Sequence, residues 1–360
     1  MTIEMTMNAR ALNRATLARQ ALIARAPDPL AMIERLAGLQ AQQARPPFVG
    51  LWTRVAKFQR EQLSALVRDK AVVRATMMRG TLHLVTAADY VAMRGALQPM
   101  FDVGVKSILG KRVEGLDLAK LCAFARTKLP ATFESLRPVL AKKFPTFDDR
   151  ALGYAVRMNL PLVQVPTDDR WAYPASSDFA CAETWLGCAI DPTVATTLLV
   201  KRYLAAFGPA TVRDAQTWSG LRDLAPAFAA LRDELVTFRD GKRELFDLPD
   251  SPRPDPDTAV PVRFLPDFDN LVLSHDDRSR VIADAHRPAV VTKNLQVKAT
   301  FLVDGVVAGT WTVERKKAAT LVLAPFAALK KPVRAALEAE GDLLLRFVEP
   351  DAASYAIKVA

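Results

Sequence analysis

The glutamine-rich segment 39–47 (LQAQQARPP) carries the side chains of this sequence that are best suited to chemistry. The apolar pattern before it predicts a helix over 29–40, and residues two apart on a helix point away from each other. Gln40 and Gln42 therefore converge only if the backbone leaves the helix there, and Pro46-Pro47 gives it a nearby reason to do so. An amide offers one acceptor and two donors without charge, so such a pair could hold a water molecule and contact a sugar.

That chemistry suits the hydrolysis of one kind of bond. A purine alkylated at N3 or N7 carries positive charge and leaves its sugar without a general acid. An enzyme then needs mainly to place a water and to stabilise an oxocarbenium-like sugar. Glutamines are adequate for this task, although they would be poor bases for an uncharged nucleoside. The alternative is that these glutamines form the solvated end of a helix, where such side chains are common.

An order of helices followed by two short strands occurs three times and predicts the elements that position the glutamines. This order is typical of a winged helix, and the third copy is the clearest. Helices near 192–207, after Thr211 and near 223–235 precede a hairpin around Gly241-Lys242. In the second copy, two strands are predicted at 162–166 and 170–174.

The predicted fold class is α+β and mainly α, with three tandem winged-helix units followed by a small antiparallel β module. The proline- and aspartate-rich segment 251–261 marks the boundary before that module, and a helix over 331–348 is predicted near the end of the chain. The predicted divisions are 1–115 with the Gln-x-Gln motif, 116–190, 191–250 and 251–360.

Cationic and polar side chains on these elements are candidates for contact with phosphates or base edges. Arg74, Arg79 and His83 lie on or beside the first hairpin, whose tip could enter a groove or approach a flipped nucleotide. His83 is alternatively a core histidine, which is the more common role of such a residue. The full set of predicted substrate- or DNA-binding residues is Arg45, Arg74, Arg79, His83, Arg157, Asn270, His275, Arg278, Arg280 and Lys293.

The polar turn 270–280 follows an apolar strand, so its side chains could approach the phosphate backbone. It could equally be an exposed loop in which Asp276 and Asp277 pair with neighbouring arginines. The sequence alone leaves both interpretations of this turn open.

The overall charge favours a polyanionic partner. The chain of 360 residues has 49 Lys+Arg against 39 Asp+Glu, a formal net charge of +10, which matters if it gathers on one face. No apolar run is long enough for a membrane span, and no secretory pattern is visible, so we expect a cytoplasmic, nucleoid-associated protein. Cys122, Cys181 and Cys188 form no CxxC pair and are expected to be buried free thiols. We therefore expect no metal, no cofactor and no obligate protein partner.

Four segments of the sequence resemble one known family. They are LQAQ at 39–42, MRGTLHLV at 78–85, FLPDFDNLVLSHDDRSRV at 264–281 and VDGVVAGTW at 303–311. In order and spacing they resemble the AlkZ-like winged-helix DNA glycosylases, which excise bulky alkylpurines and unhook interstrand crosslinks. The resemblance spans almost the whole chain.

The resemblance implies that Gln40 and Gln42 are the catalytic pair, with Gln42 positioning the water. A related branch has an aspartate at the second motif position, so Gln42 places this chain with the Gln-x-Gln branch. The resemblance also implies three winged helices and a monofunctional hydrolase that forms no Schiff base and uses no metal. Its partner would be double-stranded DNA that contains alkylated purines. The alternative is a non-catalytic winged-helix protein with a DNA-binding or regulatory role.

Overall fold

A computed structural model describes residues 5–292, 294, 296–315 and 318–360 of the chain. Lys293, one of the predicted DNA contacts, lies outside the described residues. In the part of the chain that the structure describes, no helix has the length and apolar character needed to cross a membrane. Cys181 is buried as expected, whereas the free thiol of Cys188 is exposed, contrary to the prediction.

Groups of helices are separated by single strands or groups of strands along the described part of the chain. The helices are α1 (Ala9–Arg19), α2 (Pro29–Arg35), α3 (Pro46–Arg54), α4 (Arg60–Arg68), α5 (Ala87–Met93), α6 (Gln98–Leu109), α7 (Leu118–Arg126), α8 (Phe133–Lys143), α9 (Asp149–Asn159), α10 (Ala182–Leu186), α11 (Thr196–Phe207), α12 (Val212–Ser219), α13 (Ala225–Ala230), α14 (Asn270–Leu273), α15 (Arg287–Val290) and α16 (Lys331–Val348). The strands are β1 (Met5–Thr6), β2 (Leu39–Gln40), β3 (Val72–Thr76), β4 (Leu82–Thr86), β5 (Leu162–Gln164), β6 (Phe179–Cys181), β7 (Val236–Asp240), β8 (Arg243–Asp247), β9 (Arg263–Leu265), β10 (Thr300–Val303), β11 (Val306–Arg315), β12 (Ala319–Pro325) and β13 (Tyr355–Val359).

One five-stranded sheet, in the order β2-β4-β3-β5-β6, joins the first two predicted hairpins. β3 meets β5 at the antiparallel pair Ala75↔Val163. The strand predicted at 170–174 is wrong, because β6 is the partner of β5. Residues 167–172 form a turn instead, in which Thr167 N donates to Ala172 O, and Pro166 on its near side lacks the amide hydrogen of a strand residue.

The third predicted unit has the expected order of elements. Thr211 caps α12 in a reciprocal capping box with Asp214, as its sequence predicts. The helix predicted near 223–235 is shorter, because the chain tightens into a 3-10 turn at Arg232–Glu234 after α13. The β7–β8 hairpin gains β1 as a parallel third strand, which the sequence did not indicate.

The last sheet has the order β13-β12-β11-β10-β9 and is antiparallel except where β13 runs parallel to β12. Helix α16 has the predicted bounds and buries Leu337, Leu344 and Leu345 in the same apolar cluster as the inner face of this sheet. Segment 251–261 contains no helix or strand, yet Arg14 Nε donates to its Thr258 O at 2.9 Å. The β module is therefore tied directly to α1.

The largest apolar cluster of the described residues extends from Ala37 to Phe246 and includes side chains of the first three predicted units. Aromatic side chains of α11 and α12, such as Tyr203 and Trp218, lie in the same cluster as Ala75 of β3. Burial of this continuous surface stabilises the relative positions of the helices and the central sheet, because each buried apolar side chain contributes about 1.5–3 kcal/mol. The glutamine segment is attached to this rigid body through β4.

Candidate active site and nucleic-acid interface

The chain leaves helix α2 well before the glutamines. The predicted helix to residue 40 is wrong, because Ala37 and Gly38 have positive φ values of 51° and 91° and turn the chain sharply after Leu36. A Cβ at Gly38 would lie 2.4 Å from Val85 Cγ1, so only glycine fits this turn against β4. The turn ends the helix and converts the following residues into strand β2.

Strand β2 places both glutamines beside the tip of the β3–β4 hairpin. Gln40 pairs with His83 across the ladder and is only 7% exposed. Its Oε1 accepts a hydrogen bond from Arg79 Nη2 at 2.8 Å. Gln42 is exposed, and its Oε1 accepts from Leu82 N at 3.3 Å. The structure thus brings the two glutamines to one short segment, residues 79–82, that holds both amide oxygens.

Arg79 connects this hairpin tip to the third predicted unit. The residue has φ +56°, and its guanidinium donates both to Gln40 Oε1 and to the carbonyl oxygen of Trp218 near the end of α12. A cation is favoured there because carbonyl oxygens point outward from the end of a helix. Burial, together with the nearby charge of Arg278, lowers the pKa of Arg79 to about 10. Arg79 remains charged at neutral pH.

Arg74 holds the backbone of the motif. Its Nε donates to Ala41 O at 2.9 Å, its Nη2 to Gln42 O at 3.3 Å, and its guanidinium lies 5.1 Å from the ring centre of Tyr173. Burial and the charge of Arg157 lower the pKa of Arg74 to about 10. Arg157 donates to Thr76 Oγ1 at 3.0 Å. The two arginines therefore lie close together at this edge of the central sheet.

His83 is fully buried between β2 and β3. Its Nδ1 lies 3.1 Å from Thr81 O, and a carbonyl can only accept, so Nδ1 carries the proton. Burial and the nearby charge of Arg79 lower the pKa of His83 to about 3. The ring is neutral at physiological pH. Within the described residues, its buried Nε2 has no hydrogen-bond partner.

A narrow pocket opens beside Gln40. Its lining includes Pro46, Pro47, Asp267 and Asn270. Asn270 Nδ2 donates to Gly38 O at 2.7 Å, while its Oδ1 is buried with no partner among the described residues. Asn270, which the sequence predicts as a DNA contact in a polar turn, therefore lies beside the glutamine motif and not at the surface of that turn.

The predictions for the rest of that turn need correction. His275 is fully buried and Arg280 is 5% exposed, so neither reaches a phosphate from its position in this structure. His275 Nε2 lies 3.0 Å from Phe207 O, and Arg280 donates to Pro209 O at 2.9 Å. Arg278 is only partly buried and lies near Arg79. Of the three, Arg278 alone retains an accessible position.

Arg45 is a partly buried cation at the start of α3. In the part of the chain that the structure describes, no hydrogen bond or ion pair involves its side chain. The pKa of Arg45 is lowered overall, chiefly by burial. The charges of Arg315 and Arg170 act in the same direction, whereas Asp267 and Glu349 oppose them. A guanidinium in this setting is left available for an anionic ligand.

Four arginines around the glutamines have neutral hydrogen-bond acceptors in place of carboxylate partners. Arg74, Arg79, Arg157 and Arg278 donate to carbonyl, amide or hydroxyl oxygens, and among the described residues none of the four has a carboxylate within ion-pair distance. In contrast, Arg19 and Arg54 form buried pairs with Asp247 and Asp269. Clustered guanidiniums that lack carboxylate partners repel one another, and phosphate oxygens would relieve that repulsion.

Asp267 is the site residue that sequence reasoning missed. It lies two positions before Asp269 in the segment LPDFDN, and nothing in the sequence distinguishes the two carboxylates. Arg54 binds both oxygens of Asp269, at 2.9 and 2.8 Å, although the two residues are 215 positions apart in sequence. Asp267 lines the pocket of Gln40 and has no such partner in the part of the chain that the structure describes. Among the residues that the structure describes, no group of three or more His, Cys, Asp or Glu side chains could hold a metal ion.

Comparisons with known proteins address the family and the fold of this chain. The family model described as DNA glycosylase AlkZ-like matches residues 33–347. An interstrand DNA cross-link repair glycosylase of Streptomyces sahachiroi is 27% identical over 336 residues, which cover 86% of this chain and 88% of that protein. The solved structure of Streptomyces sahachiroi DNA glycosylase AlkZ has the same fold, with a TM-score of 0.78 at 21% identity over 99% of this chain and 100% of that one. Since the family model covers far more than half of its length, this chain belongs to the AlkZ-like family of DNA glycosylases.

Proposed function

We propose that this glycosylase hydrolyses the N-glycosidic bond of cationic N3- or N7-alkylated purines, including bulky and crosslinked adducts. The proposal depends on the placement of buried Gln40 and exposed Gln42 at the same hairpin tip. The arginines around this tip have no carboxylate partners among the described residues. The name of the Streptomyces sahachiroi relative, an interstrand DNA cross-link repair glycosylase, supports the inclusion of crosslinks. Because the family consists of DNA glycosylases, the non-catalytic alternative is set aside.

Gln42 positions the attacking water in this proposal. Its side chain is exposed, and the hydrogen bond from Leu82 N fixes Oε1 while leaving a second lone pair for the water. The leaving purine carries positive charge and departs as a neutral base, so no general acid is required. Gln42 therefore contributes orientation, which can lower the barrier substantially without any proton transfer by the amide.

Gln40 acts as a donor. Arg79 places a positive charge against Gln40 Oε1, which draws electron density from the amide and strengthens Nε2 as a hydrogen-bond donor. No hydrogen bond from Nε2 occurs within the described residues. This group is therefore free to donate to the sugar, the water or the departing base.

The arginines bind the duplex. Arg45, Arg79, Arg157 and Arg278 would contact phosphates of double-stranded DNA, either directly or after small side-chain movements. Arg74, which is as buried as Arg280, supports the backbone of the glutamine motif instead. We propose further that the helices and hairpins of 1–115, 116–190 and 191–250 act as three winged-helix units beside the β module 251–360. A protein with this substrate works where the chromosome is, in the cytoplasm with the nucleoid. No membrane and no obligate protein partner enter the proposal.

The test is release of damaged bases from defined DNA. The protein is incubated with duplexes that carry N7-methylguanine, a mustard crosslink or a bulky natural-product adduct, and heat or alkali then reveals abasic sites. We expect cleavage at the adducts and none in undamaged DNA, and affinity for undamaged duplex that falls steeply with added salt. Base release equal to a control without enzyme, for every adduct, would contradict the proposal.

A further inference from the structure

Asp267 lies in the loop between β9 and α14 and is partly buried. Its Oδ1 accepts one hydrogen bond from Ala299 N at 3.2 Å. Within the described residues no hydrogen bond reaches its other oxygen, and no cation lies within ion-pair distance. Such a carboxylate loses part of its hydration without gaining an ion pair, which costs free energy unless the site has a use for the charge.

The charges around the pocket leave this anion without an ion pair among the described residues. Asp269 and Arg54 also line the pocket, but they neutralise each other through a buried two-point pair. The remaining charged group of the lining is Asp267. The Arg45 guanidinium attracts it without an ion-pair contact. The pocket of Gln40 therefore has a net negative charge inside a cationic surround.

The neutral groups of the pocket do not replace that charge. The oxygen of Gln40 already accepts from the cationic Arg79, which makes it a poorer acceptor for a second donor. The buried Oδ1 of Asn270 is a partial negative charge only. A carboxylate carries a full negative charge, so it stabilises a positive sugar and accepts a proton from water better than these neutral amides do.

We propose that Asp267 is a further catalytic residue, whose carboxylate stabilises the positive deoxyribose and accepts the proton of the attacking water. The proposal rests on the glycosidic hydrolysis proposed above. The bond from C1′ to the purine nitrogen breaks, and its electron pair neutralises the cationic base. The water oxygen bonds to C1′, its proton passes to Asp267, and the carboxylic acid then releases that proton to solvent.

The acidity of the group fits this role. Burial raises the pKa of Asp267 above its usual value, and Arg45 opposes the rise. A carboxylate with a raised pKa is a stronger base than an ordinary aspartate. The charged groups that face it are Arg45 before α3 and the Arg54–Asp269 pair. Arg315, Arg170 and Glu349 act on Arg45 in turn.

The experiment compares Asp267→Asn with the wild-type chain in single-turnover release of a mustard-alkylated N7-guanine base. Asparagine keeps the shape and the oxygen that accepts from Ala299 N. We expect the rate to fall about 100-fold or more, since general-base assistance is worth 10²–10⁴-fold. Affinity for undamaged duplex should stay equal or increase, because a negative charge is removed. Asp284→Asn, an exposed change in the same module, should leave both quantities unchanged.

The pH profile separates a catalytic role from a structural one. The wild-type rate should decline on the acid side as Asp267 takes up a proton, and Asp267→Asn should lack this decline. If Asp267→Asn does not fold, Asp267→Glu should show the acid decline at a shifted pH. If Asp267→Asn releases the base at the wild-type rate, this inference is overturned and the proposed function stands. The same holds if either variant keeps the acid decline of the wild type. A wild-type chain that releases no adduct would overturn the proposed function and this inference with it.

Discussion

Arg79 determines which part of the Gln40 amide is available to a substrate. Its guanidinium occupies Gln40 Oε1 and at the same time binds the carbonyl oxygen of Trp218, so the amide is held by a group anchored at both ends. His83, opposite Gln40 in the ladder, is neutral because burial and Arg79 both lower its pKa to about 3. The chemistry at this tip therefore depends on hydrogen-bond direction and not on titration of the histidine.

Arg79→Lys should separate the charge of this residue from its geometry. Lysine keeps the positive charge but cannot reach both acceptors with a planar fork. We expect the single-turnover rate of base release to fall about 10-fold, which corresponds to about one hydrogen bond of transition-state stabilisation. The salt dependence of duplex binding should not change. Arg334→Lys on α16 is the control, and an Arg79→Lys rate equal to that control would refute the assigned role.

At the scale of elements, the sequence predicted the β3–β4 hairpin, because a hairpin depends on local alternation and turn residues. The end of α2 could not be predicted in the same way. Leucine and glutamine are acceptable in a helix, and the reason that the helix stops at Arg35 is the close approach of Gly38 to Val85. That contact belongs to the tertiary structure, and it is what converts a helix end into strand β2.

Gly38→Ala should destabilise the protein more than an equally strained glycine elsewhere. Gly38 and Gly115 both have positive φ, 91° and 77°, but a Cβ at Gly115 meets nothing within 4 Å. The backbone strain costs about 1 kcal/mol in each case, and the overlap with Val85 should add about 2 kcal/mol at Gly38. Urea unfolding measures both variants. Equal losses of stability would show that Val85 does not constrain the turn.

At the scale of the whole molecule, distant segments decide which charged residues are structural. His275 and Arg280 were predicted to contact DNA, yet His275 lies against Phe207 O and Arg280 against Pro209 O of the third unit. In the same way, only the fold shows that Asp269 forms an ion pair, whereas Asp267 forms none with the described residues. The sequence could not reveal these differences, because each depends on a partner between about 70 and 215 positions away.

The two buried histidines predict a loss of stability in mild acid. Burial is the largest cause that lowers the pKa of both His83 and His275, to about 3, whereas the unfolded chain takes up their protons near pH 6.5. Between these values the unfolded state binds more protons, so stability falls as the pH decreases. The expected slope is about 1.4 kcal/mol per pH unit for each histidine. Urea unfolding at pH 7.5, 6.0 and 5.0 measures it, and a flat response would contradict the assignment of two neutral rings.

The proposed mechanism depends most on Gln42 as the group that positions the water, and one pair of variants tests this role directly. Gln42→Ala and Gln43→Ala remove neighbouring exposed amides from the same segment. Single-turnover release of a mustard-alkylated guanine should fall about 100-fold or more in Gln42→Ala, the loss typical of a removed transition-state contact. Gln43→Ala should keep the wild-type rate, and both variants should bind undamaged duplex as the wild type does. Release at the wild-type rate by Gln42→Ala would contradict the mechanism.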